Sequence, residues 1–106
     1  MFFDIEFKHE ARVEIKEIIL WYEGQNEGLG HQFETALEQL FIRMRRLPEI
    51  GEQIRPQVRR RQVSAFPYFV LYRIFQDRLL VLGVFHQHRD PKSLKDRIDM
   101  NGHGGK

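Results

Sequence analysis

The stretch Arg78-Leu79-Leu80-Val81-Leu82-Gly83-Val84-Phe85-His86 decides how this chain folds. It is apolar at nearly every position, so both of its faces are buried. A strand enriched in branched and aromatic residues, covered on both sides, fits it. The element before it, Tyr68 to Phe75, is of the same kind, and Gln76-Asp77 between them makes a tight turn. Upstream, Pro67 breaks off a polar, basic strand over Arg59 to Ala65. Residues 48–58, with Pro48, Gly51 and Pro56, read as a loop.

Before that loop the period changes. Phe33, Leu37, Leu40, Met44 and Leu47 recur at alternating four- and three-residue steps, the seam of a helix from about Leu29 to Leu47 that Pro48 stops. Ala11, Ile15, Ile18, Ile19 and Tyr22 mark a second amphipathic helix, ending near Gly24. The short connector Glu27-Gly28-Leu29-Gly30 makes the two an antiparallel hairpin. At the start, Phe3, Ile5 and Phe7 alternate with Asp4 and Glu6, a strand with one buried face. The expected fold is therefore α+β, ordered β-α-α-β-β-β, with an antiparallel helical hairpin on one face of a mostly antiparallel four-stranded sheet. Residues 1–98 form one domain, and the Gly-rich stretch 99–106 a flexible tail. Two helices cover only one sheet face. The other must be covered by a partner, a second copy or the segment after Asp90.

Composition narrows the function. At 106 residues the chain is one domain, able to hold a core without staples. The absence of Cys excludes a disulfide scaffold, a thiolate zinc site and a cysteine nucleophile. The longest apolar run, Ile18 to Tyr22, is far too short to span a membrane, and Met1-Phe2-Phe3-Asp4 lacks the basic region of a signal peptide. A cytoplasmic protein without membrane contact follows. Net charge is +2, yet residues 1–42 carry nine acids against three bases, while residues 43–61 carry seven Arg against Glu49 and Glu52. Such a basic side can meet phosphates or an acidic protein segment, or simply protect an edge strand.

Two clusters carry chemistry. On a strand, Arg59 and Arg61 share one face and Arg60 takes the other. With Arg73 they can track phosphates or hold carboxylates through bidentate pairs. His86-Gln87-His88-Arg89-Asp90 lies where the last strand leaves the sheet. His86 and His88 point the same way, but no third residue completes a metal site, so no metal and no cofactor are expected. An acid–base role for either His beside Arg89 is chemically feasible. Against it, Arg89 and Asp90 can simply pair with each other or with loop backbone. Trp21-Tyr22 reads as core-edge packing. There is no Gly-rich phosphate loop, nucleophile elbow or paired-carboxylate motif.

Taken in order, Glu14-Ile15, Trp21-Tyr22-Glu23, Gly28-Leu29-Gly30 with Phe33, Pro48, Arg60-Arg61, Phe66-Pro67-Tyr68 with Tyr72-Arg73, and His86 with Arg89-Asp90-Pro91 resemble the RelE/ParE superfamily of type II toxin–antitoxin toxins. The likeness covers about residues 3–97 and is closer to the ParE branch. It implies a growth-inhibiting toxin of the plasmid-stabilisation kind, neutralised by a cognate antitoxin whose acidic or disordered segment orders on binding and which alone contacts DNA. In one branch of the superfamily the toxin cleaves mRNA on the ribosome; in the other it poisons DNA gyrase. Here the slot that holds an Arg in some of the ribonucleases is Phe69, and their terminal His-Tyr pair falls near Gln87-His88. The resemblance thus implies a non-catalytic inhibitor of a protein target such as gyrase. The alternatives are a ribonuclease using Arg61, Arg73, His86, His88 and Arg89, or a non-toxic partner-binding member. The target- or antitoxin-binding residues it implies are Arg59, Arg60, Arg61, Phe85, His86, His88, Arg89 and Asp90.

Overall fold

The structure, a computed structural model, describes residues 2–104, with side chains up to residue 100. Strand β1 (Asp4–Phe7) leads into helices α1 (His9–Gln25) and α2 (Leu29–Arg46), then a single 3-10 turn (Pro48–Ile50). Strands β2 (Glu52–Arg55), β3 (Val58–Gln62), β4 (Tyr68–Phe75) and β5 (Arg78–His86) follow, and α3 (Pro91–Gly104) closes the chain.

The sheet has five strands, not four, in the order β1-β5-β4-β3-β2. The extra one is β2, inside the stretch expected to be a loop. Its residues, Glu-Gln-Ile-Arg, carry no apolar alternation because β2 is an edge strand paired only with β3. The turn between them places Pro56 before Gln57, whose φ of 68° does the work glycine usually does there. The strands β2 to β5 are antiparallel to their neighbours, whereas β1 lies parallel to β5, with Ile5 opposite Leu79. A parallel neighbour requires a crossover, and the hairpin α1–α2 belongs to it.

On one face the hairpin packs down through Ala11, Ile18, Tyr22, Phe33, Leu37, Leu40 and Met44 onto Val70, Tyr72, Leu79, Val81 and Val84. The seam inferred from the heptad steps holds from Phe33 to Met44. Leu47 falls outside it, because the helix ends at Arg46 and the side chain is exposed. Glu23 closes the hairpin loop by accepting the Gly28 and Gly30 N–H groups at 2.8 and 3.0 Å, which holds its carboxyl below the usual range. Gly30 has no room for a side chain: a Cβ there would stand 2.5 Å from the Ile19 carbonyl.

The second face is not bare. Of the three covers left open, the chain's own closing segment takes the place. Leu94 and Ile98 of α3 pack on Val58, Phe69, Leu71, Leu82 and Phe85, all of them buried. Asp90 starts that helix: its carboxylate accepts the Ser93 N–H at 2.9 Å, and this bond pulls its pKa down. The backbone of α3 continues through Gly104, so the stretch expected as a tail begins inside a helix; residues 105–106 lie outside the described residues.

Beyond Val81, β5 has no strand neighbour on the β1 side, and its register skips Leu82 opposite Leu71–Tyr72. Side chains cover this edge. Glu14 accepts the Val84 N–H at 3.0 Å, Arg97 donates to the Leu82 carbonyl at 2.8 Å, and the two pair with each other at 2.8 Å. A Cβ on Gly83 would collide with both side chains. Thus α1 and α3, on opposite sides, are tied together across the edge of β5.

Candidate functional site

Alternation along β3 sorts its arginines. Opposite residues on paired strands share a face, so Arg60, paired with Leu71, lies on the α3 side, while Arg59 and Arg61, paired with Tyr72 and Val70, lie on the hairpin side. Each has a different fate. Arg59 donates to the Gly51 carbonyl at 2.8 Å. Arg60 bridges to Glu52 at 2.9 Å, and its guanidinium lies 4.9 Å above the Phe69 ring. Arg61 has its Nη1 buried with no hydrogen-bond partner. A buried, unpaired cationic donor is costly and calls for an acceptor.

Arg60 and Arg61 open onto a recess of about 610 Å³ lined also by Ile50, Gly51, Glu52, Gln62, Phe69 and Gln87. Its floor is rigid. Tyr72 is fully buried and donates to the Pro48 carbonyl at 2.6 Å; burial raises its hydroxyl above the ordinary value, so it stays protonated. Gly51 passes so close that a Cβ would stand 2.6 Å from the Tyr72 hydroxyl. The recess therefore offers guanidinium and amide donors, with the Glu52 carboxylate already taken up by Arg60, and is suited to carboxylate or phosphate oxygens. No imidazole lines it among the described residues.

The other candidates lie elsewhere. His86 is half-buried on the hairpin side, edge-on to Tyr68 with ring centres 5.2 Å apart. Its Nδ1 accepts the His88 backbone N–H at 3.1 Å, so in the neutral ring the proton sits on Nε2. The His88 ring stacks obliquely beside it, exposed. Arg73, on the α3 side, donates to the Ile98 carbonyl of α3 at 3.4 Å. Arg89 lies 5.2 Å over the Phe85 ring, and Phe85 itself is buried beneath Arg89 and Arg97. Asp90 is the cap of α3. Of the five groups considered for catalysis, Arg61 alone lines the recess. Among the described residues no group of three or more His, Asp or Glu side chains is placed to hold a metal ion. Sequence reading missed Gly51, Gln62 and Gln87. Two are ordinary amides whose importance is positional, and only Gly51, set between Pro48 and Pro56, left a trace.

Comparison with known proteins decides the lineage. Residues 5–91 match the family described as the ParE toxin of the type II toxin–antitoxin system, parDE. The chain belongs to the ParE toxin family. The fold agrees with solved toxins of this kind. One is a chromosomal ParDE toxin–antitoxin system from P. aeruginosa, with a TM-score of 0.69 at 11% identity, covering 80% of this chain and 96% of that one. Another is the E. coli toxin RelE in a mutant, free form, with a TM-score of 0.72 at 13% identity, covering 94% and 98%. No curated relative matches the sequence significantly. This protein is thus a type II toxin of the ParE family, and its family implies an antitoxin partner. No helix among the described residues is long and apolar enough to cross a membrane.

Proposed function

We propose that this toxin acts by binding and blocking a protein target, DNA gyrase, and not by cutting RNA. The observation that supports this reading is the dispersal of the candidate catalytic groups. Cleavage of a phosphodiester by 2′-hydroxyl attack needs a base, an acid and a cation around one phosphate. Here Arg61 and His86 lie on the hairpin side of the sheet, while Arg73 and Arg89 serve the α3 side. The recess beside Arg60 and Arg61 has no imidazole in its lining, and its one carboxylate, Glu52, is already paired with Arg60 at 2.9 Å. What it does have, the guanidinium groups of Arg60 and Arg61 beside the Gln62 and Gln87 amides, suits stoichiometric capture of an anionic group. A cognate antitoxin neutralises the toxin, and DNA is contacted only through the antitoxin.

Purified gyrase supercoiling relaxed DNA tests the reading. Saturating toxin is expected to stop the reaction, and Arg61→Gln to relieve the block. Normal supercoiling, together with cuts in ribosome-bound message that His86→Ala abolishes, would replace this reading with the ribonuclease one.

A further inference from the structure

With the second sheet face sealed by α3, exposed apolar surface is found elsewhere, and α1 carries part of it. Tyr22 is in the core, but its neighbours Trp21 and Leu20 are 58% and 63% exposed. Val13, also exposed, recurs with Glu17, Leu20 and Gly24 at four- and three-residue steps. The four therefore form one stripe, on the side of α1 away from Ala11, Ile18 and Tyr22. Lys16 and Glu23 run along one flank of that stripe. Trp21 lies along the other, one turn beyond Glu17.

The charges on this face are as unoccupied as its apolar groups. The exposed side chains of Lys16 and Glu17 make no ion pair or hydrogen bond among the described residues. Glu23 accepts the Gly28 and Gly30 N–H groups, yet a carboxylate offers about four acceptor positions. Gly24 adds room, since a Cβ there would meet no heavy atom within 4 Å. A two-fold axis places residues equidistant from it opposite each other. With the axis at Leu20, the two Leu20 side chains meet at the centre. Lys16 then passes over Gly24 of the second copy, where no side chain obstructs it, and its ammonium reaches the adjacent Glu23. On the other flank the Trp21 indole N–H comes beside Glu17 of the second copy. The two Glu17 carboxylates stay about 9 Å apart along the axis, at 1.5 Å per residue.

We propose that the outer face of α1 is a self-association surface: a second copy of this chain docks on it antiparallel, with Leu20 at the two-fold axis and reciprocal Lys16–Glu23 pairs along one flank. Self-complementary charge selects this occupant. The exposed Leu47 offers no equivalent, because Arg43, Arg45 and Arg46 in the last turn of α2 would face their own copies. Antiparallel alignment also sets the two helix dipoles head to tail. Burial of Leu20, Trp21 and Val13 supplies the affinity. A single pair of 17-residue helices is at the small end of specific interfaces, so the association is weak, in the micromolar range.

Sedimentation velocity on the full-length toxin alone, from about 1 μM to 1 mM, tests this. The wild type is expected to show a concentration-dependent monomer–dimer equilibrium. Leu20→Glu is expected to leave a monomer throughout, and Lys16→Glu to weaken association about tenfold, since the ion pair occurs twice. Phe75→Ser, at an exposed apolar residue on β4, is expected to change nothing. A second measurement does not depend on losing the contact. The chain has no Cys, so Leu20→Cys brings two lone thiols together at the axis. A short bismaleimide is expected to join those chains and to leave Val13→Cys uncoupled, its two copies being about 21 Å apart along the axis. A wild type that stays monomeric at the highest concentration overturns the proposal. So does a dimer that Leu20→Glu leaves intact, or one cross-linked equally through either Cys. A monomeric toxin whose Leu20→Glu variant loses antitoxin binding would give this face to the antitoxin, and would overturn it as well.

Discussion

The hairpin and α3 cover opposite faces of one sheet, and they do so by different means. Phe33, Leu37, Leu40 and Met44 of α2 are essentially inaccessible, joined by Ala11, Ile18 and Tyr22 of α1. Among the described side chains of α3, Leu94 and Ile98 alone are buried. In place of further apolar contact, α3 is held by charged and polar ties: Arg97 to Glu14 and to the Leu82 carbonyl, Arg55 to Asp99, and Arg73 to the Ile98 carbonyl. Hydrophobic burial scales with area and is indifferent to pH, whereas ion pairs depend on both partners staying charged. The hairpin side is accordingly the foundation of the fold, and α3 a fastened cover.

Truncating Phe33 to Ala is expected to have the largest effect. The ring is fully buried against Tyr22, Phe66 and Tyr68, and its loss costs about 3–5 kcal/mol. Chemical denaturation reads this directly, and a loss below about 1 kcal/mol would mean that the hairpin core is not the foundation described.

Next comes Glu14→Ala. Its carboxylate satisfies the Val84 N–H and the Arg97 guanidinium, with side chains only 17% and 16% exposed. Removing it leaves a largely buried cation short of its counter-charge, at a cost of about 3 kcal/mol. A double-mutant cycle with Arg97→Met separates the pair from the lost backbone bond. Ile98→Ala follows at about 2 kcal/mol, the low end for a large-to-small change because the site adjoins solvent. Its signature differs from that of Phe33→Ala. Amide exchange is expected to accelerate in α3 first, with β4 and β5 still protected. Simultaneous loss in both regions would erase the distinction between foundation and cover.

The same contrast explains what could be read from the sequence. The hairpin and the pair β4–β5 were legible because burial there writes itself as periodicity: heptad steps from Phe33 to Met44, near-continuous apolar residues from Leu79 to Phe85. The edge strand β2 was not, since Ile54 is its one apolar residue on the α3-side core and Glu52, Gln53 and Arg55 are polar, which leaves no apolar alternation to read. Likewise the described side chains of α3 include two buried apolar residues, too few for a stripe. Its start was nonetheless written in Asp90-Pro91 followed by Ser93, a cap, an N1 proline and a capped amide. For the site, the guanidinium groups of β3 and their division between faces followed from strand alternation. The recess did not, because it depends on how closely Gly51 passes Tyr72. Glu14 of α1 is the partner of Arg97 of α3, a residue far away in the sequence, and the two meet at the edge of β5 beside the bulge at Leu82.

The smallest effect is the response to acid. Asp99 has its pKa held below the ordinary 3.8, first by the Arg55 hydrogen bond and then by Lys95. Asp90 is lowered as well, chiefly by the Ser93 amide. For a carboxylate whose folded pKa is depressed, the stabilisation is complete above the unfolded value and disappears as pH falls through the folded one. Acidification from about pH 5 downwards thus loosens α3 at its start through Asp90 and near its end through Asp99. The hairpin has one such group, Glu23 in its loop, and its buried seam does not titrate. Residue-level exchange between pH 5 and 3 is expected to show protection in α3 falling before protection in α2. Asp99→Asn is expected to remove part of that pH dependence, and Glu23→Gln to leave it in place. An identical acid profile for α3 and α2 would mean that charge fastens the cover no more than it fastens the foundation.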